Sequence, residues 1–209
     1  MKTRPINLKT RDVQGVLAGR KTQHRGVMMP QPSEGWSIDG YGEVHKMEDG
    51  GPNPDKVIGW GATNQEGDEA WPCPFGKPGK LLWVRETFFA NDGHWTDRVD
   101  YKASFTDEIL IKWHPSTQMP IHLSRLTLKL TDVRVERLQD ISEEDAVAEG
   151  FDTHGMGIRV APGGHLPCVS LFAENWNNTH KKEEYWEANP WVWVLSFEVI
   201  NKNVGEVSI

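Results

Sequence analysis

The chain has 209 residues, ten of them tryptophan, and a formal charge of -7. That length supports one domain with a sizeable core, and the acidity excludes a protein that holds long duplexes mainly by neutralising phosphates, while leaving room for a local basic cleft. Cys73 and Cys168 lie far apart, without the spacing of a disulfide framework or zinc site; the start MKTRPINLKT lacks an apolar signal core, and no apolar run approaches membrane-spanning length.

In chain order, Pro5-Ile6-Asn7-Leu8 reads as a short strand. Thr10 then caps a helix whose apolar face is Val13, Val16 and Leu17, at the i, i+3, i+4 spacing. Gly19 suits the left-handed position just past the helix end. The turn releases Arg20, Lys21, His24 and Arg25 within six residues, a place to meet a phosphate or a polar base edge. Residues 26–80 read as a loop-rich insertion because glycine and proline recur and neither period persists, with short strands expected at Trp36-Ser37-Ile38 and Val57-Ile58-Gly59-Trp60.

Order resumes at the turn cluster Pro74 to Gly79, which feeds a half-buried strand from Leu81 to Phe88. Asp100 to Ala103 is a neighbouring strand after a loop of Asn91 to Arg98, and Trp113-His114-Pro115-Ser116 is irregular. Between Ser124 and Leu138, Leu126, Leu128 and Leu130 alternate on one face before the phase slips to Val133 and Val135, which predicts a bulge near Thr131-Asp132. Ser142 starts a helix with Asp145 three residues on, and Gly150 ends it. Residues 154–166 form a second glycine-rich insertion, and Ser170 to Asn177 a short helix with Leu171, Phe172 and Trp176. Asn189-Pro190 turns into a closing strand, Trp191 to Ile200, apolar on both faces at its start and so expected inside the sheet. The whole reads as one α+β domain over residues 1–209: a small barrel of five to six mostly antiparallel strands with short flanking helices.

Four segments resemble the ASCH family of the PUA-like superfamily, in the longer forms carried by bacteriophages and prophages. They are Gly19-Arg20-Lys21-Thr22 after its helix; Leu82-Trp83-Val84-Arg85-Glu86; Ile141-Ser142-Glu143-Glu144-Asp145-Ala146 with Glu149-Gly150; and Trp191 to Glu198. The approach Cys73-Pro74-Phe75-Gly76-Lys77-Pro78-Gly79 belongs to the same likeness, which covers neither residues 26–70 nor 154–166. The resemblance implies a β-barrel with a cleft that binds RNA or nucleotides, and the cytoplasm of a bacterial host. Some small members are amidohydrolases that remove the acyl group of N4-acetylcytidine, using a lysine, a threonine three residues later and a glutamate at the end of the next helix. Lys21 matches the lysine and Glu149 the glutamate; His24 stands where the family has threonine.

Lys21 can serve as a base only where burial or nearby positive charge from Arg20 and Arg25 disfavours its proton. Glu149 sits on the last turn of its helix, where the dipole disfavours an anion, so it must find a cation such as Lys21 or hold its proton. His24 is a general base, a stacking ring or a core histidine. Arg85 and Glu86 leave a strand end and read as an ion pair; Trp113, among prolines, is a stacking candidate, whereas Trp83 and Tyr101 read as core. The remaining histidines show no metal-ligand spacing, so neither metal nor cofactor is expected.

Three functions follow as expectations. One is a module that holds a single or modified base of RNA, of another single strand or of a free nucleoside, with Arg20, Lys21, Arg25, Arg85 and Trp113 as contacts and Glu149 accepting from an exocyclic amine. Another is a metal-independent amidohydrolase with Lys21, His24 and Glu149 as its catalytic set. The third is a phage accessory protein that binds a protein partner through its insertions.

Overall fold

The computed structural model describes residues 3–32, 40–48, 51–63, 70–90, 99–107, 110–152 and 168–207; for 45–48 and 51–58 it describes the backbone alone. The expected strand at 36–38, the loop 91–98 and the insertion 154–166 lie outside these residues. The fold is mixed α+β. A five-stranded sheet takes β1 (Arg4–Asn7), β2 (Gln23–Val27), β6 (Leu81–Arg85), β9 (Thr127–Arg137) and β10 (Trp191–Ile200) in the order β1-β6-β9-β10-β2. Its pairings are antiparallel except for β1 with β6. Among the described residues no helix is long and apolar enough to cross a membrane.

The bulge sits where the leucine-to-valine slip puts it. Leu130 pairs with Phe197 and Asp132 with Ser196, so Thr131 is the extra residue. Without it Val133 and Val135 would turn to the opposite face; with it they stay in one core with Leu128, Leu130, Trp193 and Leu195. The helix α1 (Thr10–Leu17) seals this face with Val13 and Val16, each burial worth roughly 1.5–3 kcal/mol. Leu17, expected to join them, is 42% exposed, and Lys9 rather than Thr10 holds the cap position. Gly19 follows with φ of 69°, in the left-handed turn read from the sequence.

On the other face, Val192 and Val194 pack with Phe151 and with α2 (Glu143–Ala148) and α3 (Cys168–Asn177), through Ala146, Phe172 and Trp176. Ser142 caps α2, its hydroxyl accepting from Asp145 N at 3.0 Å, as its spacing suggests. β10 is flanked by β9 and β2. β6 is not half-buried as expected: Leu82 and Val84 enter the main core, while Leu81 and Trp83 enter a second cluster with Val204 on the opposite side. The octet also breaks in two, since Phe88 to Ala90 form β7, paired with β8 (Val99–Tyr101).

The segment read as a loop-rich insertion carries a second sheet of β3 (Gly40–Glu48), β4 (Gly51–Thr63) and β5 (Ala70–Pro72), in the order β3-β4-β5, and the strand expected at Val57 to Trp60 lies within β4. It sets Ala62 into the main core, and the Tyr41 hydroxyl bonds the backbone of Val135 at 2.9 Å. The texture misled because glycine here permits close approach between strands instead of turns. A Cβ on Gly61 would lie 1.9 Å from the carbonyl oxygen of Trp71 on the paired strand. Gly61→Ala is therefore expected to detach β5, costing about 1–3 kcal/mol and accelerating amide exchange across residues 70–72, measurable by hydrogen exchange.

Candidate functional site

Lys21 is placed by the turn after α1. Its amide and that of Arg20 donate to Gly15 O at 3.1 and 2.9 Å, and Thr22 N donates to Ala148 O at 2.8 Å, tying the turn to α2. The chain passes so close to α1 that a Cβ on Gly15 would lie 3.1 Å from Lys21 Cβ. Lys21 bridges to Glu149, the C-cap residue of α2, and the Lys21 ammonium donates to a Glu149 carboxylate oxygen. It also donates to the Glu149 carbonyl at 3.3 Å and lies 3.5 Å from Asp12 Oδ1. Lys21 and Glu149 are 1% and 3% exposed. Of the two outcomes open to an anion at a helix C-terminus, Glu149 takes the cation.

Arg25 joins them from β2 and is also buried. Its Nη1 donates to Glu149 Oε1 at 3.2 Å and to Gln23 Oε1 at 2.6 Å. Its Nε and Nη2 donate to Glu136 Oε1 at 3.1 and 2.5 Å, and Nη2 to Asp145 Oδ2 at 3.0 Å. Arg134 completes the group, donating to Asp145 Oδ2 at 2.7 Å and Glu136 Oε2 at 3.1 Å. The register explains the meeting. Arg25 and Arg134 both pair with Val194, and Glu136 with Val192, so these charges reach one another over two short valines on the intervening strand.

This corner walls a cavity of about 200 Å³. It is lined by Lys21, His24, Arg25 and Glu149, by Asp12 from α1, by Phe172, Asn175 and Trp176 of α3, and by His180. β2 is an edge strand, so residues from both of its faces reach the cavity: Arg25 pairs with Val194 and His24 with Leu195, which belong to opposite cores. The His180 ring stacks on Trp176 with centroids 3.7 Å apart, and its Nδ1 lies 3.0 Å from Trp176 O.

Burial lowers the pKa of His24, and the neighbouring Lys21 charge lowers it further against the opposing carboxylates of Glu149 and Asp12. Burial also leads the lowering at His180. Burial pushes the Asp12 carboxyl up, but Lys21, His24 and Arg11 outweigh it and hold it below the usual range. For a histidine lowered in the fold, the unfolded chain binds the proton first, so stability is lost as pH falls below about 6.5 toward the folded value. The parent is expected to lose more stability than His24→Gln between pH 7 and pH 5, read from urea unfolding at each pH.

Of the sequence candidates, Lys21, His24, Arg25 and Glu149 converge on the cavity. Arg20 is exposed and does not line it. Arg85 lies over the Trp83 ring at 4.7 Å, and Trp113 packs on Phe105 at 5.8 Å; neither lines the cavity. Glu86 pairs not with Arg85 but with Arg125, Nε to Oε1 at 2.8 Å and Nη2 to Oε2 at 2.9 Å, and the Arg125 side chain also rests on Tyr101 at 4.1 Å. Trp83 is buried, as read, and Tyr101 is half-buried with its hydroxyl donating to Leu123 O at 2.8 Å. Sequence reasoning missed Asp12, Gln23, Glu136, Asp145, Trp176 as cavity wall, and His180. The available signals were charged residues alternating with Val133 and Val135, and an i, i+4 aromatic-histidine pair at the end of a helix.

Fold and site together define an α+β protein with a small cavity bounded by a buried Lys-Glu-Arg group and an aromatic helix. Comparison with family models, curated proteins and solved structures returned no match.

Proposed function

We propose that this chain is an ASCH-type module of the PUA-like superfamily, its strands forming the β-barrel of that fold, and that its cavity receives one base, as a free nucleoside or splayed from a single strand. The observation that carries the reading is the convergence of Lys21, Glu149 and His24 with Trp176 and Phe172 on a cavity of about 200 Å³. That space is below the usual range for drug-sized ligands and suits a single ring system. Hydrogen-bonding groups fix the edge of a base, and an aromatic wall covers its face. The Arg25 donors are engaged by carboxylates, which favours base over phosphate recognition here. Calorimetric titration with cytidine and N4-acetylcytidine tests the reading. Saturable binding that Asn175→Trp abolishes by filling the cavity is expected; equal binding by that variant overturns it.

A hydrolase reading is favoured by one further observation: burial keeps His24 in its neutral, basic form beside the Lys21–Glu149 pair. In that reading His24 takes a proton from water as the oxygen bonds to the acyl carbon of N4-acetylcytidine. The carbon–nitrogen bond breaks, the Lys21–Glu149 pair delivers a proton to the departing amine, and cytidine and acetate leave. Cytidine release by the parent and not by His24→Gln, followed by chromatography, supports it; no release at high enzyme concentration leaves the binding module.

A further inference from the structure

The stretch Cys73 to Lys80 forms a second site. After β5 the chain turns at Pro74 and Phe75, Gly76 N donating to Cys73 O at 3.2 Å; Pro72 and Pro74 line one cavity, Cys73 and Phe75 another. The latter has a volume of about 370 Å³, within the range of small-molecule sites. Trp60 and Phe75 supply aromatic walls, Arg4, Lys77 and Lys80 three cations, and Glu43 a carboxylate. The turn is fixed on β9, Gly79 N donating to Leu130 O at 2.7 Å and Leu130 N to Lys80 O at 2.9 Å. Arg4 Nη1 donates to Pro74 O, tying β1 to the same wall. Lys77 and Lys80 form no ion pair among the described residues, in contrast to Lys21 and Arg25.

We infer that this cavity binds a phosphate-bearing ligand with one planar ring, of the nucleoside monophosphate class. Three cations in a rigid rim hold the phosphate, the ring lies against Trp60 and Phe75, and Glu43 accepts from a sugar hydroxyl or ring amine. The Cys73 thiol, pushed up to about 11 by burial, stays protonated and adds no nucleophile. Such a ligand could be a free nucleotide or the phosphorylated end of a strand. The inference stands apart from the reading of the first cavity.

The test uses the full chain and calorimetry with AMP, inorganic phosphate and a 5′-phosphorylated tetranucleotide. AMP is expected to bind the parent and Asn175→Trp alike, and the Lys77→Ala/Lys80→Ala variant about tenfold or more weakly. Lys77 is exposed and Lys80 half-buried, and an unchanged Tm of the double variant establishes that its fold is intact. Tetranucleotide binding that competes with AMP identifies a strand end; binding of AMP alone identifies a free nucleotide; both support the site. No AMP binding at millimolar concentration, affinity unchanged in the double variant, or inorganic phosphate binding as tightly as AMP overturns it.

Discussion

Arg25→Leu is expected to destabilise the fold by about 3–5 kcal/mol, because it leaves Glu149, Glu136 and Asp145 facing one another with their shared cation gone. In a chain of this length each kcal/mol lowers Tm by roughly 2–4 °C, so a fall of roughly 6–20 °C is expected in a thermal melt. Arg134→Leu is the internal comparison. Its side chain is 30% exposed, against 0% for Arg25, so water compensates part of the loss and the expected cost is about 1 kcal/mol. Equal effects at the two positions would mean that burial of the network does not govern its strength.

Lys21→Met carries the second large effect, again about 3–5 kcal/mol at neutral pH, since Asp12 loses the Lys21 ammonium and Glu149 is left with Arg25 alone. The pH dependence identifies the cause. In the parent, Asp12 is held below its ordinary pKa, so its contribution is present above about pH 3.9 and is lost as pH falls through the folded value. In the variant the Lys21 share of that contribution is gone and Asp12 accepts a proton more readily. The gap between parent and variant is therefore expected to narrow as pH drops from about 5 toward 2, measured by urea unfolding. A gap that stays constant would assign the loss to packing of the lysine stem alone. The same variant is expected to lose nucleoside binding, because Lys21 lines the cavity as well as bracing it.

Local turns and caps were legible in the sequence, and long-range partners were not. Gly19, the Ser142 cap and the Thr131 bulge are local decisions, made by backbone preference and by the phase of alternating side chains, and each stands in the structure where its residues put it. Lys21 and Glu149 were paired through a family likeness together with the dipole at the end of α2, and they do meet. Glu136 and Asp145 were invisible because their partnership with Arg25 depends on which strands become neighbours, a long-range outcome no local pattern encodes. Trp176 was placed on its helix but not at a site, because burial and lining a cavity leave the same mark on a helix face. The second sheet was hidden by its glycines and prolines, whose close-packing role appears only once Gly61 is seen against Trp71.

The central claim is that one base occupies the cavity between β2, α2 and α3. A crystal structure of the protein with cytidine tests it most directly, since this ligand carries no phosphate to draw it to the Lys77–Lys80 turn. The expected result is density for the ring beside Trp176 and the Lys21–Glu149 pair, with a ring edge within hydrogen-bond distance of Glu149 or Lys21. Cytidine bound elsewhere, or a cavity without density at saturating ligand, would contradict it.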